Sequence, residues 1–347
     1  MAIAHSDGSS IDRSRRDNRQ RVCVTRRAPC PICSNVTWCS TSVCGSYAYC
    51  RKQSGGLERT DCGGLYWIHQ TRERDSNAPL PRLEVAPDPA PVHILDAAYR
   101  ELLARVTLNE SHRANLVGHR GMSDEMIRRH GFRSLPPADA WDLRRKLAQD
   151  VAQVIGRRHI TGVPGFIAPN GRGLTLGGVS GIAIPTFDLS GRVIAIRVRK
   201  DVVREGEGRY AWLSSSRHGG PIAQVSAFWS TPTRLKSGEP VRAELVRLTE
   251  GEMKAVISSQ FTGAFSLSVP GVTFWRYALP MLQALGAKHV LLAFDMDRST
   301  KPQVARAFLD CHEGLTQAGL TVEVETWPAE FKGVDDFLAA QARSEAP

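Results

Sequence analysis

The sequence predicts an α/β chain with an α+β N-terminal part: a small metal-binding module, a mixed α/β subdomain, then a parallel-sheet domain. Three observations carry this. Seven of the eight cysteines crowd into residues 23–62, helical and strand-like patterns mix over 93–240, and strand and helix patterns alternate from 241 to 341. A chain of 347 residues is long enough for two or three domains. Its 42% hydrophobic and 23% charged content fits a globular protein rather than a disordered one.

Residues 1–28 are polar and Arg-rich without apolar periodicity, which predicts a disordered basic arm. Residues 1–60 hold ten Arg or Lys and four Asp or Glu, so most of the net charge of +10 sits there. Such an arm suits a polyanion, most simply nucleic acid. The N-terminus lacks an apolar segment after its charges, so no secretory signal is expected and the cytoplasm is the expected compartment. No apolar run reaches membrane-spanning length, and no membrane partner is expected.

Residues 29–70 form the expected zinc module. Cys30-Pro-Ile-Cys33 offers two thiolates at knuckle spacing, and the second pair comes from Cys39, Cys44 and Cys50. The aromatics and cations of this module, Trp38, Tyr47, Tyr49, Arg51 and Lys52, suit either single-strand stacking or the filling of a small core. Residues 71–92 contain five prolines and read as an extended linker.

From residue 93 the spacing of Ile94, Ala97, Ala98, Leu102 and Leu103 is helical, Ser123 caps a further helix, and 138–155 form another. Residues 181–199 read as two strands around Asp188-Leu-Ser-Gly191. Beyond 241 the expected order is strand 244–249, helix 251–260, strand 264–269, helix 274–285, strand 289–294, helix 303–318, strand 322–326 and a short helix 334–341. Cys311 on its amphipathic helix reads as a small core residue.

Carboxylates fall where a parallel sheet exposes its chemistry. Glu250 ends one strand, and Asp295 and Asp297 follow another. Alternate residues of an extended segment share a face, so the two Asp can act together on Mg²⁺ or Mn²⁺. Gly251 permits the tight turn after Glu250, and Asp335-Asp336 add a further acidic pair after Lys332-Gly333.

A strand ending Glu250-Gly251, then an apolar strand ending Asp295-Met-Asp297, resembles the TOPRIM domain of bacterial-type primases, topoisomerases and several nucleases. Ile184–Arg199 resembles the strand pair that precedes this domain in bacterial primases, and Gly208–Ser215 the segment after it. Thr249-Glu-Gly-Glu-Met-Lys-Ala255 and Lys332-Gly-Val-Asp-Asp336 are similar to motifs of TOPRIM proteins of plasmids, phages and integrative elements. Those relatives carry Cys-Pro-x-Cys, then Trp-Cys, then a later Cys, which selects Cys30, Cys33, Cys39 and Cys50, with Cys44 in reserve.

The resemblance implies a primase-like nucleotidyltransferase acting on single-stranded DNA and nucleoside triphosphates in mobile-element replication. It implies structural Zn²⁺, and catalytic Mg²⁺ or Mn²⁺ at Glu250, Asp295 and Asp297. It further implies phosphate contacts from Arg197, Arg199, Lys200, Arg209, Lys254 and Lys332. A nuclease using the same acids and a non-catalytic DNA-binding accessory factor are the alternatives. No G-x-x-x-x-G-K-[ST] motif is present, so a replicative helicase is expected as a separate partner. The chain departs from the primase pattern at Lys254, where primases place an acid four residues after the motif Glu.

Overall fold

The computed structural model describes residues 21–24, 28–35, 39–42, 45–61, 64–71, 87–168, 173–204, 207–231, 240–296 and 302–344. The basic arm through residue 20 and most of the Pro-rich linker lie outside them, as do Trp38, Cys44 and Asp297. The chain divides into two compact units, residues 1–85 with 204–207, and 86–203 with 208–347.

The first unit is a five-stranded antiparallel sheet. Its strands are β1 (Arg21–Cys23), β2 (Ser40–Ser42), β3 (Tyr47–Cys50), β4 (Leu57–Asp61) and β5 (Gly64–Gln70), in the order β1-β2-β3-β5-β4. Strands this short have little core to bury. Two supports take its place: a cysteine cluster, and a cation–aromatic stack. The Arg21 guanidinium lies 3.9 Å from the Tyr49 ring centroid and 4.6 Å from that of Tyr66, and its Nη2 donates to the Tyr66 hydroxyl at 2.8 Å.

The second unit begins with α1 (Val92–Ala104) and α2 (Glu110–Ala114), which runs into a wide π turn over Asn115–His119. Then follow α3 (Asp124–Arg129), β6 (Arg133–Leu135), α4 (Trp141–Ile155), α5 (Arg157–Ile160), and the strand pair β7 (Phe166–Ile167) and β8 (Thr175–Leu176). Ser123 caps α3, its side chain accepting from Met126 N, as the sequence predicts. Strands β9 (Gly181–Phe187), β10 (Val193–Lys200) and β11 (Tyr210–Trp212) complete an antiparallel sheet in the order β11-β10-β9-β6.

Period-two alternation gives this sheet two different faces. Ala183, Ile196 and Val198 face a core with Leu95, Tyr99 and Leu102 of α1 and Leu147 and Val151 of α4. Ile182 and Ile184 face a second core. Buried Arg144 of α4 serves the loop carbonyls, donating to Pro136 O at 2.7 Å, Pro137 O at 2.9 Å, Gly177 O at 3.0 Å and Leu176 O at 3.2 Å.

After β12 (Phe228–Ser230) comes β13 (Leu245–Glu250), α6 (Glu252–Thr262), β14 (Phe265–Val269), a 3₁₀ turn over Val272–Ala278, α7 (Leu279–Leu285), β15 (His289–Ala293), α8 (Pro302–Gln317), β16 (Thr321–Val324) and α9 (Val334–Ser344). The sheet order is β12-β14-β13-β15-β16, parallel except for the antiparallel edge strand β12. The 3₁₀ turn, α7 and α8 cover one face, where Cys311 is fully buried beside Leu315 and Trp275. A Cβ at Gly314 of α8 would stand 2.1 Å from the Trp275 ring, so glycine alone permits this approach. Helix α6 is apolar on both sides because it serves two sheets: its Met253, Val256 and Ile257 pack with Ile182, Ile184 and Phe228 in the second core. The contacts therefore do not separate residues 93–240 from 241–341; both belong to one compact unit.

Candidate active site and metal centre

In the first unit, Cys30, Cys33, Cys39 and Cys50 bring their sulfurs within 4.8 Å of one another. Tetrahedral Zn²⁺ with Zn–S bonds of about 2.3 Å separates its sulfurs by about 3.8 Å. Cys33 and Cys39 Sγ lie 3.6 Å apart, and Cys39 and Cys50 Sγ lie 3.9 Å apart. Backbone N–H groups support the sulfurs as they do thiolates: Arg51 N donates to Cys39 Sγ at 3.4 Å and Gln53 N to Cys50 Sγ at 3.3 Å. Burial pushes the Cys33 and Cys39 thiols up, and neighbouring thiols add to this. For Cys30 burial acts the same way, but hydrogen bonds from the backbone of Cys33 and Ile32 outweigh it and the thiol sits below its usual value. Four sulfurs this close ionise together only around a cation, so the set fits a structural Zn²⁺. Tyr49 and Tyr66 are buried and packed edge to face at 6.2 Å, so these two rings build the module and offer no stacking face.

In the second unit, Glu250 and Asp295 sit at the carboxyl ends of neighbouring parallel strands. Thr249 Oγ1 donates to Ala293 O at 2.8 Å, tying those ends together. Gly251, at φ +82°, turns the chain from β13 straight into α6, which brings Lys254 round one helical turn above Glu250. The Lys254 ammonium hydrogen-bonds Asp295 Oδ1 and lies 3.9 Å from Glu250 Oε1. Burial opposes its charge, but Asp295, Asp335 and Glu250 outweigh burial and hold its pKa above the usual lysine value. Asp335, at the start of α9, accepts from Arg120 Nη1 at 3.1 Å. Burial raises the Asp335 pKa, against the pull of Lys254.

A cleft of about 330 Å³ opens beside these groups. Arg120, Arg197, Arg209, Lys254 and Lys332 line it with Tyr210, and Glu250 is the carboxylate in its wall. Such a surface attracts phosphates. Arg197 is mostly committed: its Nη1 donates to buried Glu252 Oε1 at 2.5 Å, and its guanidinium lies 4.9 Å from the Tyr210 ring centroid. Arg199 lies on the same face of β10, where burial lowers its pKa, with Tyr210 opposing and Arg120 and Arg209 adding to the fall. Lys200 falls by alternation on the opposite face, that of Ile196 and Val198, and the structure does not bring it to the cleft.

The expected divalent site needs Glu250, Asp295 and Asp297 to converge on one ion. Asp297 lies outside the described residues, and Asp295 is already bonded to an ammonium. Glu250 and Asp295 as they stand do not fit Mg²⁺ or Mn²⁺. Among the described residues, the cysteine set is the group of three or more side chains that converges as metal ligands do. Arg120 is the cation of this cleft that sequence reasoning missed. It follows a π turn and carries no periodic signal, and its partner Asp335 lies 215 positions on.

Residues 242–345 match the model of a family described as a domain of unknown function (DUF3854). No curated protein sequence matches the chain. Among solved structures, the zinc-binding and RNA polymerase domains of the Aquifex aeolicus primase match at TM-score 0.54 and 13% identity, over 93% of this chain and 77% of that one. The RNA polymerase domain of Mycobacterium tuberculosis primase DnaG matches at TM-score 0.53 and 13% identity, over 73% of this chain and 82% of that one. The same domain in complex with a double-stranded DNA oligomer with a 6-nucleotide overhang matches at TM-score 0.52 and 13% identity, over 75% and 82%. At these identities the likeness is one of fold: a cysteine-clustered module and a mixed α/β core with the fold of DnaG-type primases. No described helix is long and apolar enough to cross a membrane.

Proposed function

We propose that the chain is a primase-like nucleotidyltransferase that binds single-stranded DNA and nucleoside triphosphates in the basic cleft of its core. One observation carries the reading: a primase-like fold in which five cationic side chains line the cleft at the strand ends, beside the Glu250 carboxylate. A similar domain is known in complex with an overhanging DNA oligomer, which supports nucleic acid as the ligand.

In the reaction the 3′-hydroxyl oxygen of the growing chain bonds the α-phosphorus of the incoming nucleotide. The bond from that phosphorus to the bridging oxygen breaks, and pyrophosphate leaves with the bond electrons. Arg120, Arg209 and Lys332 attract and orient the phosphates. Glu250, its side chain 30% exposed at the cleft, is the group placed to take the hydroxyl proton. No step is assigned to a divalent ion. The sequence motifs favour the replication module of a mobile element as the setting, with the helicase supplied separately.

The contact between Lys254 and Asp295 favours a second reading, a DNA-binding replication accessory factor without chemistry of its own. A primer-synthesis assay separates the two. The full chain is given single-stranded DNA, mixed NTPs and dNTPs, and Mg²⁺ or Mn²⁺, beside a Glu250→Gln control. Short products absent from the control support the transferase. Binding without products supports the accessory factor, and metal-dependent shortening of the template points to a nuclease.

A further inference from the structure

Lys254 reaches into the acid cluster by a specific set of local features. The Gly251 turn starts α6 directly after Glu250, so position 254 stands over the end of β13. Its side chain is 18% exposed, and its ammonium bonds Asp295 and lies 3.9 Å from Glu250. Met296 N donates to Lys332 O at 3.3 Å, which ties the loop carrying Gly333 to the Asp295 end of the sheet. A Cβ at Gly333 would stand 3.1 Å from Lys254 Cε and Nζ and 2.5 Å from Asp335 Oδ1. The missing side chain leaves room for the ammonium and the carboxylate side by side. Asp335 is 4% exposed, and its Oδ1 has no hydrogen-bond partner among the described residues.

We propose that the Lys254 ammonium is a tethered counter-ion that stands at the Glu250–Asp295 pair in place of a divalent cation. The charge balance supports this. Three carboxyl groups, Glu250, Asp295 and Asp335, share one ammonium, Lys254, and one guanidinium, Arg120. A dication added to Asp295 meets an ammonium already bonded there. With the ammonium removed, Glu250 and Asp295 lose the cation between them, and a dication can take its place. Lys254 and Arg120 thus offset part of the acid charge at this end of the sheet from within the chain, and incoming phosphates meet a fixed cation.

The test is Mn²⁺ binding by the zinc-loaded full chain, read by the loss of free-ion electron paramagnetic resonance signal and by the thermal midpoint. It needs no primer synthesis, so its outcome is separate from that of the transferase reading. Wild type is compared with Asp295→Asn, Lys254→Met and the Lys254→Met/Asp295→Asn double variant. The expected result is no Asp295-dependent Mn²⁺ site in wild type. Lys254→Met gains one, with affinity higher by about tenfold or more and a Mn²⁺-raised midpoint, and the double variant loses both. An Asp295-dependent site in wild type, or a folded Lys254→Met that gains nothing, overturns the proposal. If Lys254→Met does not fold, the comparison of wild type with Asp295→Asn decides alone.

Discussion

The cysteine cluster and the acid cluster meet the same problem in opposite ways. Each gathers groups whose ionised forms repel. The four sulfurs converge as metal ligands do, and the charge of their thiolates fits a cation from outside. The three carboxylates have Lys254 and Arg120 within reach, and theirs is offset in part by the chain itself. The difference lies in where each unit places its cations: the first unit stacks the Arg21 guanidinium on Tyr49 and Tyr66, whereas α6, packed between two sheets, brings the Lys254 ammonium onto Asp295. Two other buried groups extend the comparison. Arg144 keeps its charge and spends it on carbonyl dipoles, and His130 gives its charge up.

The largest effect is expected at the cysteine cluster. Structural zinc contributes roughly 10 kcal/mol or more to small modules of this kind. Cys39→Ser, or a strong chelator, is expected to unfold the first unit while the second keeps its own transition. Limited proteolysis with elemental zinc analysis checks this, and an intact first unit without zinc breaks the comparison.

Next comes Arg144. Arg144→Met leaves four carbonyls without their donor, at a cost of about 3–5 kcal/mol. Denaturant unfolding is the measurement, and a cost near zero shows that the loop carbonyls find other donors.

His130 gives a pH signature. Burial against Phe228 and Phe132, then Arg129, pushes its pKa down from 6.5 to about 3. The unfolded chain takes up a proton below pH 6.5 that the folded protein refuses. Stability from this group is complete above pH 6.5 and falls as pH drops toward 3, by up to about 1.4 kcal/mol per pH unit. His130→Gln is expected to remove that share of the slope, and an unchanged slope assigns acid sensitivity to other groups.

The smallest effects belong to the open cations of the cleft. Arg209→Ala and Lys332→Ala are each expected to weaken single-stranded DNA binding several-fold. Each lowers the log–log salt slope by about 0.7, without changing stability. Fluorescence anisotropy at several salt concentrations reads both quantities. An unchanged slope removes the residue from the phosphate path.

Most of the parallel-sheet half was legible because its signals are local. Its strands carry apolar residues in runs or at alternate positions, and glycines end helices: Gly263 and Gly286 both take left-handed conformations just after α6 and α7. The short strands of the first unit were not legible, since cation–aromatic packing and the cysteine cluster set them rather than alternation. The antiparallel edge strand β12 was missed for a similar reason, being three residues long. Within the site, Glu250 and Asp295 were placed by their strand ends. Lys254 was visible as a departure, but its bond to Asp295 spans 41 positions and belongs to the fold. The paired and buried state of Arg197 follows from Glu252 on α6, 55 positions away, which no local pattern announces.

The most direct single measurement is a metal inventory of the full chain after dialysis against Zn²⁺ and Mn²⁺ together, by elemental analysis beside Cys39→Ser and Asp295→Asn. Zinc is expected to stay on the cysteines and to be lost in Cys39→Ser, with no manganese that depends on Asp295. Manganese retained by wild type and lost in Asp295→Asn contradicts this, because the acid cluster would then take its cation from outside as the cysteines do.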